Sequence, residues 1–179
     1  MTNLPRAAQA TTPRTSDDVQ WDAIYWEQLP RIYNFLRYRV GNADAAEDLT
    51  ALTFVKAWQA RGQYQQNLSG FSTWLFVIAR NVATDFLRQR RDDVPLDSLA
   101  ELSATFNIED VVEHNTTLER LSAMLGHLTP RERELISLKY GSELTNRAIA
   151  DIVGLSESNV GTILHRAIQK LRQYWDDER

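Results

Sequence analysis

Ser158, Asn159, Thr162, His165, Arg166 and Gln169 are the residues of this chain best suited to recognition chemistry. At helical spacing they fall opposite an apolar stripe of Val160, Ile163, Leu164, Ala167, Ile168 and Leu171. Asn, Gln and Arg can pair with the edges of bases, while Ser, Thr and Arg can reach phosphates. Arg166 fits a structural role as well as a base-reading one. Gly161 is unusual inside a helix, at about 1 kcal/mol relative to Ala. It either permits close approach of a DNA backbone or only weakens the helix.

A second group lies between Tyr64 and Arg91. Tyr64, Phe71, Trp74 and Phe76 stand on or beside the polar loop 62–70, which also holds Asn67. Arg80 and Asn81 follow, and Arg88, Arg90 and Arg91 close the segment. Cations near a helix C-terminus complement its dipole whatever the function. Beside aromatic rings they also make a platform for unpaired bases, with charge for phosphates and rings for stacking. Trp74 and Phe76 fit a core equally well. A third group, Glu47 and Asp48 with Phe54, Val55 and Trp58, suits either a plain amphipathic helix or a docking face with acidic and aromatic anchors side by side.

Patterns for catalysis are missing: the sequence has no GxxxxGK phosphate loop, no GxSxG elbow and no HExxH. Cys is absent, and the three His (His114, His127, His165) are widely spread. No metal site, cofactor or catalytic residue is expected, and the chain reads as a binding protein rather than an enzyme. No run of 18 or more apolar residues marks a membrane span, and the N-terminus lacks an apolar signal core, so a cytoplasmic protein is expected.

The elements that must position these groups are helical, and almost nothing reads as a strand. The first 18 residues are rich in Thr, Ala, Pro and polar groups and are expected to be a disordered tail. Trp21, Ile24, Tyr25, Leu29, Ile32, Phe35 and Leu36 recur at helical spacing, and Gly41-Asn42 reads as a stop. A second helix fits 43–61, with Ala46, Leu49, Leu52 or Thr53, and Ala57 on one side. A third runs over 72–90 behind Trp74, Leu75, Ile78, Val82 and Phe86. Residues 92–110 are acidic, contain Pro95 and read as a linker; helical pattern resumes near Ile108. Thr129-Pro130-Arg131-Glu132 has the form of a capped helix start, with Pro at the first position and Glu able to close a capping box. A short helix over 146–153, a break at Gly154-Leu155-Ser156 and a helix from Glu157 form a helix-turn-helix, whose second helix enters a DNA major groove. The expected fold is all-α: two small helical domains, 19–91 and 111–179, joined by a flexible acidic linker.

The net charge of −4 looks wrong for a DNA binder until it is divided. Residues 1–91 carry 11 Lys/Arg against 8 Asp/Glu; residues 92–119 carry none against 8; residues 120–179 carry 9 against 8. Two mildly basic segments flank one acidic stretch.

Together these stretches resemble a bacterial RNA polymerase sigma factor of the extracytoplasmic-function class. Tyr33-Asn34-Phe35-Leu36, the run 44–50 (DAAEDLT) and Phe54-Val55-Lys56-Ala57-Trp58 look like the polymerase-binding part of region 2. Phe71 to Leu75, Ile78 to Asn81 and Asp85 to Arg88 look like its promoter-melting part. The run 128–133 (LTPRER) opens region 4, and His165-Arg166-Ala167 with Leu171-Arg172 closes its recognition helix. The resemblance implies a sigma subunit. Glu47, Asp48, Phe54, Val55 and Trp58 would grip core polymerase. Tyr64, Asn67, Phe71, Trp74, Arg80, Asn81, Arg88, Arg90 and Arg91 would melt and hold the minus-10 strand. Ser158, Asn159, Thr162, His165, Arg166 and Gln169 would read duplex minus-35 DNA. It also implies an anti-sigma partner, a monomer when free of polymerase, and no membrane insertion. The acidic linker would thread toward the polymerase active-site channel. The chain departs from the pattern at Ala51, at Ala148, and at Gly161, Ile163 and Ile168, where basic residues are frequent. The other reading of the C-terminal half is a helix-turn-helix regulator that binds duplex operator DNA unaided, usually as a dimer.

Overall fold

The computed structural model describes residues 21–64, 70–92 and 117–177. The expected tail over 1–18 and nearly all of the expected linker over 92–110 lie outside these, as does Asn67. The described chain is helical: α1 (Trp21–Val40), α2 (Ala43–Gln59), α3 (Phe71–Asp92), α4 (Thr117–Gly126), α5 (Pro130–Ile136), α6 (Asn146–Val153) and α7 (Glu157–Asp177). The 3-10 turn Arg61–Gln63 follows α2, and a π-helical turn, Ser137–Gly141, continues α5.

The N-terminal bundle is built from α1, α2 and α3. Ile32, Phe35 and Leu36 of α1 are fully buried against Leu75, Phe76 and Ala79 of α3. Phe35 and Phe76 meet edge to face at 5.9 Å. Gly41 stops α1 in the left-handed region at φ 76, where a side chain would be strained. Asn42 then caps α2, its Oδ1 accepting from the Ala45 amide at 2.7 Å. Thr53, not Leu52, completes the buried face of α2, because its hydroxyl donates to the Leu49 carbonyl at 2.7 Å and so is satisfied without water. Leu52 is exposed. α3 runs one residue beyond the expected span at its start and two at its end.

The C-terminal unit starts at α4. The capping box at α5 is present, with Thr129 Oγ1 accepting from the Glu132 amide and the Glu132 carboxylate accepting from the Thr129 amide at 2.9 Å. The same carboxylate takes the Lys170 ammonium of α7 at 2.7 Å, tying helix start to recognition helix. Burial raises the Glu132 carboxyl, but the Lys170 ammonium and the Thr129 amide and hydroxyl outweigh it and leave the group below its ordinary 4.5. A lowered carboxyl adds stability that is present above the ordinary value and is lost as pH falls through the folded one. Glu132→Gln keeps the box geometry and loses the charge. It is expected to cost about 0.5–1 kcal/mol at neutral pH, in the range of a partly exposed pair. Urea titrations across the acid limb should show a flatter pH dependence for the variant.

The two units pack directly on each other. α1 lies along the π-helical turn, and α3 reaches α5 and α6. Gly141 sits so close to α1 that an added Cβ would stand 3.0 Å from the Asn34 carbonyl oxygen.

Candidate nucleic-acid interface

Thr145 caps α6 by accepting from the Ala148 amide, and Gly154 ends it at φ 70. Ser156 caps α7 through a 3.2 Å bond from the Asn159 amide. These three local signals fix the angle between the two helices. α6 buries Ile149, Ala150 and Ile152, and α7 buries Val160, Leu164 and Ala167 against them, with Ile163, Ile168 and Leu171 half-buried. The result leaves all six expected reading residues, Ser158, Asn159, Thr162, His165, Arg166 and Gln169, exposed on one face. Thr162 turns its hydroxyl onto the Ser158 carbonyl at 3.1 Å, which leaves Asn159, His165, Arg166 and Gln169 as the longer reach of that face. Ile163 and Ile168 belong to the packed side, so the cation shortage there is a consequence of burial. Arg147, exposed in the first turn of α6, extends the polar face and was not among the expected residues. A cation in the helix that crosses the DNA backbone is the signal that could have found it.

Helix packing gives no reason for Gly161. A Cβ added there would meet only Asn146 Nδ2, at an ordinary 3.7 Å, so helix packing does not require glycine. Gly161→Ala is expected to raise stability by about 1 kcal/mol, the helix-propensity difference. Thermal unfolding checks this, and a parallel fall in promoter affinity would show that the missing Cβ makes room for DNA.

In the N-terminal bundle, Tyr64, Phe71 and Trp74 form one cluster with ring centroids 5.3 Å apart, all half-buried. Trp21, read from the sequence only as part of the apolar stripe of the first helix, joins it edge-on to Phe71 at 5.4 Å and continues to Trp58 at 5.3 Å. Phe76 is core. Asn81, Arg88, Arg90 and Arg91 are exposed along α3. Arg88 makes an exposed pair with Asp85 at 3.3 Å, and Arg90 lies over the Phe86 ring at 5.8 Å. Arg80 points elsewhere: its Nε donates to Glu134 Oε1 of α5 at 2.8 Å.

α2 carries the docking candidates. Glu47 and Asp48 are exposed at its start; Val55 and Trp58 are 51% and 48% exposed toward its end, where burial would be expected of apolar side chains. Phe54 is half-buried under Tyr25, centroids 4.7 Å apart. Leu52 completes the apolar strip between Asp48 and Val55; its undecided place in the helical period hid it. Among the described residues no group of three or more His, Asp or Glu could hold a metal ion, and no helix is long and apolar enough to cross a membrane.

A helix-turn-helix with a free polar face, behind a bundle that carries cations beside aromatic rings, defines a DNA-binding transcription protein. The Sigma-70 region 2 family matches residues 24–92, and the Sigma-70, region 4 family matches residues 118–171. RNA polymerase sigma factor CarQ of Myxococcus xanthus is 30% identical over 154 residues, 86% of this chain and 87% of that protein. ECF RNA polymerase sigma factor BldN of Streptomyces coelicolor is 27% identical over 158 residues, 87% of this chain but 60% of that longer protein. Among solved structures, the sigma factor RpoE of Bartonella quintana, crystallised with the anti-sigma factor NepR, superposes with a TM-score of 0.69 at 25% identity over 89% of this chain and 98% of that one. The chain belongs to the extracytoplasmic-function sigma factors of the sigma-70 family.

Proposed function

We propose that this sigma factor divides promoter recognition between its two units as their surfaces suggest. The observation that carries the reading is the joint exposure of Ser158, Asn159, Thr162, His165, Arg166 and Gln169 on a helix whose other side is packed into a helix-turn-helix. α7 reads the minus-35 element as duplex in the major groove, with Arg147 on the adjoining phosphates. The Tyr64, Phe71 and Trp74 rings, with Asn67 and Asn81, hold a minus-10 base turned out of the stack, and Arg88, Arg90 and Arg91 follow the strand. Glu47, Asp48, Phe54, Val55 and Trp58, joined by Leu52, grip core polymerase. An anti-sigma factor is the expected regulator of the free protein, which acts in the cytoplasm as a monomer.

Run-off transcription with purified core polymerase on host promoter DNA tests this. Initiation that depends on this protein, at a shared two-block sequence, supports the reading. Specific duplex binding by the protein alone, without initiation, overturns it in favour of an autonomous regulator.

A further inference from the structure

We propose that Arg39, Arg80 and Arg131 form an anion-binding site where α1, α3 and α5 meet, one that takes a small phosphate-bearing ligand. The site does not depend on how promoter recognition is divided between the two units.

The three guanidiniums come from three helices and share one carboxylate. Arg80 Nε donates to Glu134 Oε1 at 2.8 Å, and Arg131 donates to Glu134 Oε2 at 2.5 Å. The Glu134 side chain is 5% exposed, while those of Arg80 and Arg131 keep 30% and 36%. Arg39 lies deeper, 9% exposed, within electrostatic reach of Glu134, Arg80 and Arg131. Its side chain makes no hydrogen bond or ion pair among the described residues. None of its nitrogens is sealed from solvent, so an ion can reach them. Burial lowers the Arg39 pKa; Glu134 acts to raise it, and Arg80 and Arg131 lower it further. Burial and the neighbouring Arg39 pull Arg133 down to about 10. Glu132, the other carboxylate of α5, is taken up by Lys170 and the Thr129 amide.

Buried charge in a folded protein is paired, because the loss of hydration is otherwise not offset. Three guanidiniums on one carboxylate leave two positive charges to be balanced. A phosphate group carries about −1.5 to −2 at pH 7 and so matches them. The donors match as well. Glu134 takes Nε of Arg80 and one terminal nitrogen of Arg131, whose other terminal nitrogen donates to the Val153 carbonyl at 3.3 Å. Both terminal nitrogens of Arg80 and the whole Arg39 fork remain as donors. A guanidinium fork presents paired donors at the spacing of two phosphate oxygens. A nucleic-acid backbone would bring its sugars with it, and Arg39 lies too deep for that bulk, which favours a small free ligand.

Calorimetric titration of the full chain with inorganic phosphate, at constant ionic strength set with chloride, is the test. The wild type is expected to bind one phosphate saturably. Arg39→Gln is expected to weaken that binding on the order of tenfold or more, the loss of a charge-assisted fork. Glu134→Gln removes the negative charge that competes with the ligand and is expected to tighten binding several-fold, which a purely structural cluster would not do. Arg120→Gln, at an exposed cation of α4 that lies over Trp175, is expected to bind as the wild type does. Circular dichroism establishes that each variant is folded, and if Arg39→Gln is not, the direction of the Glu134→Gln change decides alone. No saturable binding by the wild type, or weaker binding by folded Glu134→Gln, would overturn the site. Equal weakening in Arg39→Gln and Arg120→Gln would overturn it too, as the mark of diffuse surface attraction. Displacement of bound phosphate by a random-sequence single strand would overturn the small ligand and give the cluster to the DNA backbone.

Discussion

Replacing Trp58 with alanine is expected to weaken binding to core RNA polymerase by about thirtyfold or more, the loss of a hot-spot aromatic worth at least ~2 kcal/mol. Trp58 is 48% exposed at the end of a strip that begins with Glu47 and Asp48 and runs through Leu52 and Val55. It is held ready by two neighbours: Trp21 meets it edge-on at 5.3 Å and the Arg61 guanidinium lies over it at 4.1 Å. A ring fixed before binding loses little rotamer entropy on docking, which is why such residues dominate interfaces. Those two contacts are near the surface, so their loss should lower the unfolding midpoint by only a few degrees. Titration of labelled protein with core polymerase is the measurement. A folded variant that binds core normally would move the docking face off α2. Val55→Ala, which removes less apolar area, is expected to cost about three- to tenfold.

What the sequence made legible follows from how local each signal is. The Thr129-Pro130-Arg131-Glu132 start and the bounds of α6 were readable because a cap, a proline and a left-handed glycine act within one or two turns. The apolar stripe of α7 was readable because its period is strict, and the exposed face opposite was its complement. α2 was half readable: Leu52 and Thr53 both fit its period, and only the 2.7 Å bond from Thr53 to Leu49 shows how the polar one could be buried. The π-helical turn was not readable, since nothing in Ser137–Gly141 breaks the helical pattern. Arg80 shows the limit best. Its sequence context, two turns before a basic helix end, speaks for phosphate binding. Its partner Glu134 is 54 residues away, and no local rule pairs them.

The same limit bears on Phe76, where core and platform could not be told apart, and here the expected effect on stability is large. Phe76→Ala is expected to destabilise the protein by about 3–5 kcal/mol, the cost of emptying a fully buried aromatic site. The ring is 0% exposed, meets Phe35 at 5.9 Å, and has the Arg31 guanidinium 5.7 Å from its centroid. Its neighbours Ile32, Leu36 and Leu75 come from two helices already fixed by backbone hydrogen bonds, so the site collapses poorly and the cavity persists. Arg31 also makes the two bonds to Ser142, so the loss of its ring support should loosen the contact between the two units as well as the bundle. Trp74→Ala should behave differently. Trp74 is half-buried and shares its rings with Tyr64 and Phe71 at the bundle's edge. Its removal is expected to cost about 1–3 kcal/mol in holding an unpaired base, with a smaller effect on folding than Phe76. Urea unfolding and promoter opening, measured on both variants, separate the two roles. If Phe76→Ala unfolds no more readily than Trp74→Ala, the packing of α1 on α3 is not what holds the bundle. If Trp74→Ala opens promoters normally, the aromatic cluster is structural and strand capture must rest on the exposed cations of α3.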